Sequence, residues 1–151
     1  MKNYRILNKK DMKEILSLIK SRWDAEVEFD YGFLQDREEK IYLINTEFAK
    51  VPLEKLRINK IGLYFGQVVK GELRLSIEGS QIIGPKAKKN VLEISEEQIR
   101  EWLNGNDIET TENLSGFMIL KHKNDFFGTG KFKEGRILNF IPKGRRLKTN
   151  E

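Results

Sequence analysis

Between Asn8 and Asp24 the apolar residues Met12, Ile15, Leu16, Ile19 and Trp23 fall three or four positions apart, with Lys and Glu between them. That spacing puts them on one stripe of an amphipathic helix, and Asn8 is placed to cap it. The period then changes. Asp24, Glu26, Glu28 and Asp30 alternate with Ala25, Val27 and Phe29, which predicts an edge strand with an acidic solvent face. Lys40 to Asn45 predicts another strand, and Pro52 opens a short helix through Leu53 to Leu56. Beyond a Lys70-Gly71 turn, Leu73, Leu75 and Ile77 alternate with Arg74, Ser76 and Glu78. The stretch from Ile61 to Ile77 therefore reads as a hairpin with one buried face.

The pattern breaks at Glu78-Gly79-Ser80, a short polar stretch followed by Gln81-Ile82-Ile83 and a basic loop, Gly84 to Asn90. This break divides the chain into residues 1–78, an α/β domain, and residues 79–151. In the second part Ser95 and Gln98 fit a capping box, Ile99, Trp102 and Leu103 supply a packing face, and Gly105 stops the helix. Three apolar segments follow, Phe117 to Lys121, Phe126 to Phe132 and Arg136 to Ile141. They are separated by the turns Lys123-Asn124-Asp125 and Lys133-Glu134-Gly135. One small helix with several short strands predicts a compact β-barrel or a strongly bent sheet, so the chain as a whole reads as α+β.

Charge sharpens this division. From Leu120 to the end there are nine Lys or Arg and three acids, a net of +6, whereas residues 1 to 119 carry a net of −1. Such asymmetry is expected of a site for an anionic polymer. The 151 residues lack cysteine, which excludes disulfides, Cys-based zinc sites and thiol nucleophiles, and a single histidine, His122, leaves little for a metal centre or a Ser-His-Asp triad. His122 reads as an ordinary strand residue. Nine Phe, four Tyr and two Trp supply a core, and no run is long and apolar enough to cross a bilayer. With no apolar leader after Met1, the expected location is cytoplasmic.

Gly128-Thr129-Gly130-Lys131 lacks the long Gly-bounded turn and following helix of a phosphate loop. It reads instead as a bent or bulged strand, whose second glycine would let an RNA backbone approach. The acids Asp36, Glu38, Glu39, Glu96 and Glu97 sit in polar turns or a first helical turn and read as structural. No catalytic residue and no metal ligand is assigned. The basic residues carry the sharper chemistry: Lys86, Lys88 and Lys89 form one group, and Lys143, Arg145 and Arg146 form a second beside Phe140 and Pro142. Arginine forks match phosphate oxygens, lysines add point charge, and an exposed aromatic can stack on an unpaired base.

Ile83 to Lys88, the helix ending in Trp102-Leu103-Asn104-Gly105-Asn106, Gly116-Phe117, Asp125, Gly128 to Lys131 and Asn139-Phe140-Ile141-Pro142-Lys143 together resemble a PUA domain, a small RNA-binding pseudobarrel. Ile61 to Gly66, Lys70 and Arg74-Leu75 are similar to the end of the domain that precedes PUA in small ribosome-biogenesis proteins. The same PUA-type region is similar to the C-terminal extension of Sun-family RNA cytosine methyltransferases. The resemblance implies an N-terminal α/β (pre-PUA-like) domain followed by a PUA-like β-barrel. It also implies RNA contact through Lys86, Lys88, Lys89, Lys131, Phe140, Lys143, Arg145 and Arg146.

A Sun-type enzyme needs catalytic cysteines and a Gly-rich S-adenosylmethionine site, and this chain shows neither. The expectation is a non-catalytic, cofactor-free factor in ribosomal RNA processing, ribosome biogenesis or RNA modification. Its partner would be structured ribosomal or transfer RNA, with an RNA-modifying enzyme or assembly factor on the N-terminal domain and no membrane. The alternative is a protein–protein adaptor for an RNA methyltransferase or an assembly factor.

Overall fold

A computed structural model describes residues 4–29, 31–45 and 62–147. The chain runs β1 (Arg5–Ile6), α1 (Lys9–Trp23), β2 (Tyr31–Gln35), β3 (Lys40–Asn45), β4 (Gly62–Val69), β5 (Glu72–Leu75) and α2 (Ile77–Ile83). It continues through a 3-10 turn (Gly84–Lys86), β6 (Val91–Glu93), α3 (Glu96–Leu103), β7 (Ile108–Glu109), β8 (Phe117–His122), β9 (Asp125–Lys133), β10 (Arg136–Leu138) and a last 3-10 turn (Lys143–Arg145). The helix read at Pro52 lies outside the described residues.

Local chemistry sets the helix ends. Asn8 accepts from the Asp11 amide while the Asp11 carboxylate accepts from the Asn8 amide, closing a capping box on α1. Ser95 and Gln98 do the same for α3. At its other end α3 stops in a Schellman turn: the Gly105 amide donates to Trp102 O and the Asn106 amide to Glu101 O, with Gly105 at a φ of +96°.

Strands β1 to β5 form one antiparallel sheet in sequence order. The α1 stripe of Ile15, Ile19 and Trp23 packs against Phe33, Ile41, Leu43, Phe65, Leu73 and Leu75 on one face of it. The second sheet has the order β6-β8-β9-β10-β7, with β6 parallel to β8 and every other pairing antiparallel. Its core holds Leu92, Ile99, Trp102, Ile108, Met118, Leu120, Ile137 and Ile141. The sheet stays open between its edge strands, β6 of three residues and β7 of two, and is not closed into a barrel among the described residues. Gly128, at a φ of +91°, and a register shift between Ile119 and Lys121 interrupt the β8–β9 ladder.

Three local expectations need correction. Asp24 to Phe29 is not a strand: Asp24 takes the left-handed conformation that ends α1, with its amide donating to Lys20 O, so the alternating acids follow a turn. Ile77 is the first residue of α2 rather than the last of β5, because the Ser76 hydroxyl accepts from the Gly79 amide and caps a helix there. Glu78-Gly79-Ser80 is accordingly helical, and the division drawn at residues 78 and 79 falls inside α2.

That helix sits between the sheets. Gly79 lies so close to Phe65 O that a Cβ would overlap it, and Gly84 lies equally close to the Phe126 ring. Ser80 and Thr129, both buried, reach across: the Gly128 amide donates to Ser80 Oγ at 2.8 Å and Thr129 Oγ1 donates to Leu75 O at 3.0 Å. Half-buried Arg22 on α1 donates to the carbonyls of Phe117 and Ser115 around the start of β8, and this burial lowers its pKa. One apolar cluster therefore includes Trp23 and Phe65 together with Phe117, Ile119 and Phe126.

Candidate nucleic-acid interface

Lys86, Lys88 and Lys89 line a surface loop whose backbone is tied down. The amides of Lys88 and Lys89 both donate to Trp23 O, at 2.8 and 3.3 Å, so the basic loop is fastened to the C-terminal end of α1. Asn90 Nδ2 adds a bond to Arg22 O. Nearby, Lys20 bridges Asp24 at 2.7 Å and Glu26 at 3.0 Å. The Lys20 hydrogen bond and charge depress the pKa of both carboxyls, with Lys88 adding a smaller push in the same direction. The lysine group thus has acids at its border, and none of its three ammoniums is ion-paired to a described residue.

The C-terminal cations differ among themselves. Lys143 is exposed and carries no ion pair with a described residue. Arg145 donates to Glu78 Oε1 at 2.5 Å, while Glu78 Oε2 is buried with no hydrogen-bond partner among the described residues. Arg146 is structural: its Nε donates to Ile141 O at 2.9 Å, its stem crosses Gly105, and the following Leu147 amide donates to Leu103 O. Lys131 on β9 reaches Glu72 Oε2 at 3.3 Å and lies 5.4 Å from the centre of the Phe117 ring. Arg136 faces Asp107 at 3.9 Å. Glu72 and Glu78, which precede the basic end of the chain in sequence, thus neutralise part of it in space.

Phe140 is 36% exposed. The Arg74 guanidinium lies 4.5 Å from its ring centre, and Phe117 meets it edge-on at 6.1 Å. Together with Tyr64, Thr129, Pro142 and Arg145, Phe140 and Arg74 line a cleft between the sheets. Sequence reasoning named Phe140 and Arg145 but missed Arg74 and Tyr64. Arg74 occupies the polar side of a strand alternation, and only the fold shows that this side faces the C-terminal segment. Gly130 does not offer an approach to RNA: it is buried, and a Cβ there would run into Trp102, Ile137 and Leu138 O. His122 is a strand residue whose Nδ1 lies 2.7 Å from Ile94 O.

The two cation groups sit at opposite ends of α2, Lys86 just past its C-terminus and Arg145 bonded to its first turn. The seven residues of this helix give it a length of roughly 10 Å.

The family described as the methyltransferase RsmF PUA domain matches residues 89–147. Ribosomal RNA small subunit methyltransferase F of Aeromonas salmonicida is 29% identical over 124 residues, covering 78% of this chain and 26% of that protein. The Aeromonas hydrophila protein of the same name is 30% identical, covering 74% and 24%, and that of Vibrio parahaemolyticus 22% identical, covering 90% and 29%. The chain spans about a quarter of the length of these curated relatives, and the alignments extend well beyond the segment that the family model matches. Residues 89–147 are thus a PUA domain like the C-terminal extension of the Sun-family ribosomal RNA methyltransferases.

Proposed function

We propose that this chain is an RNA-binding unit without a catalytic centre of its own, acting in ribosomal RNA modification and ribosome assembly. The second sheet with α3 is then the PUA pseudobarrel, and the first sheet with α1 is the domain that precedes it. The relatives' name, ribosomal RNA small subunit methyltransferase, supports RNA as the ligand class. The observation that carries the reading is the Lys86, Lys88 and Lys89 loop. Its backbone is fixed by two bonds from the Lys88 and Lys89 amides to Trp23 O, so the ordering needed to meet phosphates falls on the exposed lysine side chains and not on the loop. Lys143 adds charge at the other end of α2.

The test is fluorescence anisotropy with a small-subunit ribosomal RNA fragment, a transfer RNA and duplex DNA across a salt series, for the wild type and K86A/K88A/K89A. The expected result is binding that weakens linearly in log salt. The slope should be shallower in the variant by about 0.7 to 0.9 for each phosphate that is no longer neutralised. Absence of RNA binding at low salt, or an unchanged slope in the variant, would overturn the reading.

A second reading is the adaptor. Ile6 on β1 and Leu63 on β4 are large apolar residues, 39% and 43% exposed, on opposite faces of the first sheet, and each would suit a contact with a protein. A methyltransferase or assembly factor captured by the wild type but not by I6S/L63S would favour it.

A further inference from the structure

The cleft between the two sheets combines an aromatic ring and two guanidiniums that neither sheet assembles alone. We propose that it is a subsite for one unpaired RNA nucleotide, with the base stacked on Phe140 and its phosphate between Arg74 and Arg145. The inference rests on the RNA-binding reading above and adds a place and a ligand conformation to it.

The geometry of Phe140 suits a stacking platform. Arg74 and Phe117 hold the ring, yet a third of the residue is exposed. A base landing on it would find a ring already ordered, so less of the stacking energy goes into fixing the side chain. Both arginines are aimed in the same way. Arg74 donates to Gln67 Oε1 at 2.6 Å and Arg145 to Glu78 Oε1 at 2.5 Å. Each guanidinium has five N–H donors, so each keeps donors for phosphate oxygens.

Size fixes the mode. The cleft holds about 40 Å³, room for roughly three waters. It admits a phosphate oxygen or the edge of a base, while the base plane lies over Phe140 at the mouth. A base inside a duplex is stacked on its neighbours and cannot present its face, so the ligand is a bulged, looped or single-stranded nucleotide. Every base has a π-face, so this site selects for an unpaired base rather than for base identity.

The experiment uses the full chain with a short blunt RNA duplex and with the same duplex carrying an unpaired 3′ extension that contains 2-aminopurine. The wild type should prefer the extended RNA about five- to fiftyfold and should quench 2-aminopurine as its ring stacks. F140L should lose both the preference and the quenching while still binding the blunt duplex through the lysine loop, and F140W should retain both. R74Q should reduce the preference without changing blunt-duplex affinity. Circular dichroism melts verify that each variant is folded; if F140L is not, R74Q and the wild-type quenching carry the decision. Equal binding of the two RNAs without quenching would overturn the cleft and leave the RNA reading standing. Binding to neither RNA would overturn both.

Discussion

The buried hydroxyl of Ser80 accepts the amide hydrogen of Gly128 at 2.8 Å, joining α2 to the point where β9 departs from regular pairing. The same hydroxyl donates to Ile77 O at 2.7 Å, so both its hydrogen-bonding roles are used. Removing it in S80A strands the Gly128 amide between the sheets and should cost about 1–3 kcal/mol. The effect should appear as a lower urea midpoint. Trp23, in the apolar cluster that spans the two sheets, and Trp102, in the core of the second sheet, are both fully buried and serve as two separate probes in single-tryptophan variants. Because α2 and Arg22 tie the halves together, their unfolding transitions should coincide in urea. Midpoints that separate would show that the halves unfold independently.

Arg145 and Arg146 are neighbours in sequence with different duties. R146A removes the bond to Ile141 O and the stem that covers Gly105, and should lower stability by about 1–2 kcal/mol. K143A touches neither and should leave the urea midpoint unchanged while reducing the salt slope of RNA binding. Equal destabilisation of the two variants would contradict this separation. A combined alanine replacement at 143, 145 and 146 would confound folding with binding.

Glu78 competes with phosphate for Arg145. E78Q keeps the side-chain shape but releases the arginine from a partly exposed ion pair worth at most about 1 kcal/mol. RNA affinity should rise by up to about fivefold at low salt, and the gain should shrink as salt rises. Unchanged or weakened binding would mean that Arg145 does not meet RNA, or that the pair orients it for binding.

The helices α1 and α3 were legible because their caps and stripes are written in contiguous residues, Asn8 before the first and Ser95 with Gln98 at the start of the second, while the part of Asp11 in the first cap emerged only in the structure. The β4–β5 and β8–β9 hairpins were legible from alternation and turn residues. Helix α2 was not. It contains Gly79 and Ser80, poor helix formers in isolation, and only the close approach of Phe65 O and the bond to Gly128 explain why small residues stand there. The candidate site divided along the same line. Lys86, Lys88, Lys89 and Lys143 pair with no described acid, as their local sequence implies, but the partners of Lys131, Arg145 and Phe140 are Glu72, Glu78 and Arg74, more than fifty residues away. A charge count along the chain cannot see such neutralisation.

Tyr42 on β3 sets an alkaline limit. Burial, reinforced by the nearby Asp36 charge, pushes its phenol up to about 12, against about 10 for an exposed tyrosine. Well below pH 10 the phenol is neutral in both folded and unfolded chains and makes no pH-dependent contribution to stability. Above pH 10 the unfolded chain releases the proton while the fold retains it. The unfolded state then binds fewer protons, and stability falls as pH rises towards 12. Y42F cannot ionise and keeps the ring that packs between Tyr4 and Tyr64. Its urea midpoint should therefore fall less than that of the wild type between about pH 10 and 12, with Tyr64, also raised by burial, accounting for part of the remaining decline. Parallel decline of the two proteins would show that the Tyr42 phenol does not control alkaline unfolding.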